Sequence, residues 1–360
     1  MTKDETKPVR IVVAGAGLIG REHIQRVLAI PGAELAGIVD TAPKAKDQAD
    51  SLGVPYYPNF ETMLEKDKPD GVVVALPNQV HFSAGMTLVR HGVPMLMEKP
   101  VCASVEEAYQ LAEASEKAGV PILVGHHHRH NAVVQQAKGI IASGRLGKIT
   151  AVNGLTWFLK PKEYFEGDFS WRREIGSGVV MQNLIHVVDD MRNLCGDIIS
   201  LQASGSNAVR GFAVEDTVGI ILRFQNGAIG TLAISDTVAA PWSWEMTSGE
   251  LKWFPRTNES CYLIGGTKAS LSLPRLELWH HGTDGHWFSP IHSDRSMMTD
   301  QDPHTLELKS DPHLTQMRHF CEVVRGTAKP LLDARGGART LEATLAVLTA
   351  AETGGIVQLS

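Results

Sequence analysis

Three groups of residues combine types and spacings that chemistry can use. The first is Gly15-Ala16-Gly17-Leu18-Ile19-Gly20, a G-x-G-x-x-G turn directly after the apolar run of residues 9–14. Gly15 permits the tight bend, Gly17 lets backbone amides approach a pyrophosphate, and Gly20 allows a helix to pack closely on the strand. At the start of that helix, through Leu18 and Ile19, unpaired N–H groups and the positive dipole end face the phosphates. Asp40 stands twenty residues beyond Gly20 and closes a second strand-like run over 34–40. A carboxylate there accepts hydrogen bonds from ribose hydroxyls. The second group is Glu98-Lys99-Pro100, a charged pair straight after the apolar residues 93–97. A lysine partly desolvated beside a nicotinamide cation has a depressed pKa and serves in proton transfer. On those three residues alone, a surface lysine ending a strand is the simpler reading. The third group is Gln182 and His186, four apart in a helical pattern over 178–194, which projects both from one face.

The elements that must position these groups alternate as a doubly wound α/β sheet requires. Residues 41–52 read as a helix closed by Gly53, and Asn59 caps a short helix running to 65. Residues 71–76 form a continuous apolar strand, broken by Pro77-Asn78 at the carboxyl edge where open α/β sheets bind ligands. A helix over 81–90, a capping box at Ser104-Val-Glu-Glu107, a helix ending at Gly119 and a strand over 121–125 complete a Rossmann domain of residues 1–125. Residues 126–360 read as a second α/β domain. A helix over 132–143, a strand over 149–160 and an irregular aromatic and charged stretch over 161–173 come first. Gln225-Asn226-Gly227 joins strands 214–224 and 228–238, a strong hairpin signal. Runs at 261–264, 270–273 and 276–280 add further strands, and helices over 311–325 and 338–353 follow. Such strands make a large, mostly antiparallel open sheet, whose uncovered apolar face favours a homodimer or homotetramer.

Composition narrows the function classes. A chain of 360 residues with formal charge −6 and no Lys/Arg-rich run offers no phosphate-neutralising surface, so no nucleic-acid partner is expected. No run approaches the roughly 18 apolar residues of a membrane span, and residues 1–8 lack the apolar core of a signal peptide. Cys102, Cys195, Cys261 and Cys321 form no C-x-x-C pair, which fits free thiols in a reducing cytoplasm. The run His126-His127-His128-Arg129-His130 invites a metal reading. Contiguous strand residues point to opposite faces and cannot ligate one ion without a bend, so no metal is expected. Trp157, Lys160, Tyr164, Trp171, Arg172 and Arg173 fit a sugar platform with cationic clamps for an acidic group. Aromatics in a core and charges in solvent fit them equally.

The glycine turn, Ala75-Leu76-Pro77-Asn78 with His81, Glu98-Lys99-Pro100, residues 125–131 and residues 176–189, in this order, resemble the glucose–fructose oxidoreductase/inositol dehydrogenase (Gfo/Idh/MocA) family. The resemblance covers essentially the whole chain. It implies an N-terminal Rossmann domain, a bound NAD(H) or NADP(H), and chemistry on a sugar, cyclitol or related alcohol. By position, Lys99 matches the lysine near the reacting hydroxyl, Pro100 the proline that shapes its loop, and His186 the acid/base. Leu76, Pro77, Asn78, His81, Glu98 and Lys99 join the glycine turn and Asp40 as expected cofactor contacts. Lys99, His127, Trp157, Lys160, Arg172, Gln182, Asn183 and His186 are the expected substrate contacts. Many members carry Asp where this chain has Gln182, which holds a hydroxyl but cannot share a proton. Asp40 repels a 2′-phosphate and favours NAD, while Lys44 and Lys46 leave NADP open. The expected activity is hydride transfer to or from a secondary alcohol of a sugar, cyclitol or polyhydroxy acid. An NAD-retaining glycosidase is one alternative. The other is a non-catalytic NAD-binding sensor, against which Lys99 and His186 count.

Overall fold

The computed structural model of the chain describes residues 7–250, 252–282, 285–294 and 311–360. The chain forms two compact units, Met1–His130 with Pro312–Leu341 and Asn131–Asp311 with Glu342–Ser360. The expected division after residue 125 misses the return of 312–341 to the first unit. Packing explains the return. Helix Pro312–Arg325 buries Met317, Phe320, Cys321 and Val324 in one cluster with Ile11, Ile24, Ile38 and Val73. Removing a ring such as Phe320 from that cluster costs about 3–5 kcal/mol.

In the first unit β1 (Val9–Ala14), β2 (Ala33–Val39), β3 (Tyr56–Tyr57), β4 (Gly71–Val74), β5 (Met95–Met97) and β6 (Ile122–Val124) form one sheet. All its pairs are parallel, in the order β3-β2-β1-β4-β5-β6. The order reverses between β1 and β4, which opens a ligand crevice beyond their carboxyl ends. Between the strands run α1 (Leu18–Ala29), α2 (Pro43–Leu52), α3 (Phe60–Lys66), α4 (His81–Arg90) and α5 (Val105–Ala118). Local signals set their ends. Asn59 Oδ1 accepts from the Thr62 amide at 2.8 Å and Ser104 Oγ from Glu107 at 3.3 Å, while Gly53 and Gly119 close α2 and α5 in the left-handed conformation. Strand β3 was not legible in the sequence, since two residues carry no period.

The second unit holds α6 (Ala132–Ala142), β7 (Ile149–Trp157), α7 (Ile185–Cys195) and strands β8 (Ile198–Ser206), β9 (Thr217–Phe224), β10 (Ile229–Ser235), β11 (Tyr262–Gly266), β12 (Ser270–Leu273), β13 (Glu277–His280), β14 (His292–Asp294) and β15 (Val357–Gln358). They form one sheet in the order β14-β13-β12-β11-β7-β10-β9-β8-β15, antiparallel except for β7 with β10. The hairpin expected at Asn226-Gly227 forms, the expected strands at 261–264 and 270–273 pair antiparallel as β11 and β12, and β8, rich in Ser and Gly, is an addition to the expected strands. Val218, Ile220, Leu222 and Phe224 on β9 bury one face with Val188, Met191 and Leu194 of α7. Each such apolar side chain contributes roughly 1.5–3 kcal/mol. On the other face Ile221, Ile229, Leu263 and Trp279 are exposed.

Candidate functional site

The glycine turn of the first unit is built to admit a dinucleotide. A Cβ on Gly20 would lie 1.7 Å from the Gly15 carbonyl oxygen, so only glycine lets α1 start so close to the turn. A Cβ on Gly17 would meet nothing within 4 Å, which leaves that side of the turn open to a ligand. No side chain caps α1, and Leu18 and Ile19 are exposed, so the helix start has amides for phosphate oxygens. Asp40 follows β2. Its Oδ2 accepts from the Ala16 amide at 2.6 Å and its Oδ1 from Ala42 at 2.7 Å, which ties the acid to the glycine turn. The residues therefore fit a dinucleotide with phosphates on α1 and a ribose at Asp40. Of the two nearby lysines, Lys46 is engaged by Asp50 at 2.7 Å.

Beyond β4, Leu76 and Asn78 are half-buried and Pro77 is exposed. His81 opens α4 but is buried, its ring nitrogens 2.8 Å from the carbonyls of Leu76 and Pro100. It braces the two edge loops from behind. Lys99–Pro100 is a cis peptide. Glu98 Oε1 meets His23 Nε2 at 2.7 Å and its Oε2 accepts from the Lys99 amide at 3.2 Å. Burial alone would raise the Glu98 carboxyl, but the His23 hydrogen bond and charge, with His313 and Lys99, bring it down to about 2. The half-buried Lys99 has its pKa lowered by desolvation, with the Glu98 carboxylate opposing. Among the described residues its ammonium has no hydrogen-bond acceptor.

The histidine run is a correction to the strand geometry assumed from sequence. His127–His130 is a 3₁₀ turn, which follows the end of β6 at Val124. His127 stacks on His313 at 4.3 Å and meets His128 edge-on at 4.7 Å.

The second unit brings Lys160, Gln182 and Asn183, each singled out in the sequence, into one polar cluster. Residues Val180–Leu184 form a π-helical turn ahead of α7, in place of the regular helix expected over 178–194. Such turns widen the helix and re-aim its side chains. Its start is held by Glu215, whose Oε1 accepts from the Val180 amide at 2.9 Å. A Cβ on Gly178 would lie 2.1 Å from that same oxygen, which accounts for the glycine before the turn. Desolvation raises the Glu215 carboxyl, with the Val180 amide opposing.

Lys160 lies in the centre of this cluster. It is 7% exposed, and its Nζ donates to Asn183 Oδ1 at 2.8 Å and Gln182 Oε1 at 3.1 Å, with Asp236 Oδ2 at 3.5 Å. Three donors thus meet three acceptors. Burial lowers its pKa to about 8, and Asp236 resists the shift. Gln182 is equally engaged. Its Oε1 also accepts from the Tyr164 hydroxyl at 2.7 Å, and its amide donates to the Ser177 carbonyl. Gln182, where the family resemblance implies an acid in many members, is therefore bound by a lysine and a tyrosine. Asn183 reaches Glu245 Oε1 at 3.4 Å, and Arg210 pairs with Asp236 Oδ1 at 2.8 Å. His186 lies on α7, one turn past Gln182. Trp157, at the end of β7, meets Trp242 edge-on at 5.9 Å. Asp236, Arg210, Glu215 and Glu245 were missed by sequence reading. The acid closing β10 was the one available signal.

Two family models match the chain. "Oxidoreductase family, NAD-binding Rossmann fold" covers residues 9–126, and "GFO/IDH/MocA C-terminal domain" covers residues 134–272. The chain belongs to the GFO/IDH/MocA family. It is accordingly an NAD-binding oxidoreductase of the dehydrogenase and reductase type. The 1,5-anhydro-D-fructose reductase of Ensifer adhaerens is 24% identical over 363 residues, spanning 96% of this chain and 97% of the relative. The WlbA dehydrogenase from Bordetella pertussis, solved with NADH and UDP-GlcNAcA, has a TM-score of 0.80 at 24% identity over 99% of both chains. An oxidoreductase from Agrobacterium radiobacter, solved with NAD+, L-tartaric acid and magnesium, has a TM-score of 0.79 at 20% identity over 98% of both chains. These likenesses extend the family's fold over the whole chain. Among the described residues no helix is long and apolar enough to cross a membrane.

Proposed function

We propose that this family member oxidises or reduces a secondary alcohol of a sugar, cyclitol or polyhydroxy acid, with NAD as hydride carrier. The observation that carries the reading is Lys99, an ammonium with lowered pKa and no acceptor among the described residues, following β5 of the Rossmann sheet. A donor in that condition is ready for a substrate oxygen. NAD accepts or supplies the hydride when bound. Lys99 then donates a hydrogen bond to the reacting oxygen and stabilises developing negative charge, while His186 holds the hydroxyl proton. Asp40 favours NAD over NADP by repelling a 2′-phosphate. Relatives named for anhydrofructose, inositol and apiose, and a structural neighbour holding tartaric acid, support polyols and their acids as substrates.

Two further assignments belong to this reading. The exposed face of the second sheet carries Ile221 and Leu263 in one cross-strand row with Thr231 and Asn153, which suits a homodimer or homotetramer. Four free, buried cysteines suit a cytoplasmic protein. The test is NADH formation from aldoses, inositols, aldonic acids and lactones, repeated with NADP. Turnover of at least one class with higher kcat/KM for NAD is expected. Failure across the panel, or a clear NADP preference, overturns the reading.

A further inference from the structure

The loop before the π turn holds a cation that pairs with no acid among the described residues. Arg172 lies over the Tyr164 ring at 3.8 Å, with Phe169 at 4.4 Å and Trp171 at 5.4 Å from its guanidinium carbon. These rings fix the plane of the guanidinium. Its Nη1 donates to the Tyr164 carbonyl at 3.0 Å, and its Nε is buried without an acceptor among the described residues. Of the neighbouring cations, Arg210 engages Asp236 and Lys160 has all three donors met; Arg173 also pairs with no acid among the described residues, but its Nε is taken by the Phe165 carbonyl at 2.7 Å. Of the loop's acids, Glu166 pairs with Lys162 at 3.5 Å, and Glu163, Asp168 and Glu174 are exposed with no ion pair to Arg172.

With Nη1 taken, Nε and Nη2 remain as a two-donor edge. That edge matches two oxygens of one anionic group. The edge is also tied to the chemistry. The ring under Arg172 ends in the hydroxyl that bonds Gln182, one turn before His186.

We propose that Arg172 is a specificity-determining residue that binds a carboxylate or phosphate on the substrate through its Nε and Nη2 edge. This rests on the oxidoreductase reading and narrows its substrates to anionic polyols. Matched probes test it, titrated calorimetrically into the full chain saturated with NADH: D-gluconate against D-glucitol, and D-glucose 6-phosphate against D-glucose. One anionic member should bind at least tenfold more tightly than its neutral partner, and which pair does so separates carboxylate from phosphate. In Arg172→Gln the preference should collapse to about twofold or less, with partial rescue by Arg172→Lys. NADH affinity should stay unchanged in both variants. Equal binding within both pairs, no binding by either anion, or a preference that survives Arg172→Gln overturns the proposal. A chain that fails to bind NADH fails the parent reading instead. A merely structural Arg172 would weaken anion and neutral partner alike.

Discussion

Lys99 and Lys160 both have pKa values pushed down by burial, yet their surroundings differ in kind. Lys99 follows a strand of the first unit beside one carboxylate, Glu98, itself pinned by His23, and its ammonium has no acceptor among the described residues. Lys160, in the second unit, meets Gln182, Asn183 and Asp236, one acceptor for each donor. Desolvation of a charge is tolerated when its hydrogen bonds are met, and such a group resists giving them up. A lysine satisfied within the protein holds its neighbours in place; one left with open donors is free to meet a ligand. The same lowered pKa thus accompanies met donors in one unit and open donors, which the proposed reaction would use, in the other.

The largest test of that contrast is Lys99→Ala. It should lower kcat by roughly a hundredfold or more with NADH affinity nearly intact. Unchanged turnover would remove the reacting role. Next come the pH profiles of stability, where the two regions should show up at opposite ends. Glu98 falls from 4.5 to about 2 on folding, so its contribution is present above pH 4.5 and is lost as pH drops towards 2. Lys160 falls from 10.5 to about 8, so the unfolded chain binds the extra proton between those values and stability rises with pH across that window. Each change is on the order of 3 kcal/mol, read by urea unfolding at stepped pH. Glu98→Gln should flatten the acid limb only, and Lys160→Met the alkaline limb only.

A smaller effect separates positioning from reaction at neutral pH. Lys160→Met leaves the Asn183 and Gln182 oxygens short of a donor and should cost about 2–3 kcal/mol of stability. Activity lost from Lys160→Met with stability untouched would reverse the roles assigned to the two lysines.

How much of this was legible follows the range of each interaction. The glycine turn, the Asn59 and Ser104 caps and the Asn226-Gly227 hairpin depend on residues a few positions apart, and each formed where its pattern pointed. The same holds for the alternation in β9 that buries Val218 and exposes Ile221. Gln182, Lys160 and Tyr164 were each singled out, but their pairing was not, because Lys160 and Tyr164 come from a strand end and a loop without a local spacing rule. A regular helix was expected at 180–184, since helical periodicity hardly distinguishes an α turn from a π turn.

The amino-acid sequence by itself determined the alternation of strands and helices, the dinucleotide turn and the family, because backbone preferences and side-chain periods act between near neighbours. Only the tertiary structure decided that helix Pro312–Arg325 returns to the first sheet, that β7 lies parallel to β10, and that Lys160 is met by Gln182, Asn183 and Asp236. Those outcomes turn on which distant surfaces bury each other best and which buried charge finds an acceptor, and no short window of residues carries that information.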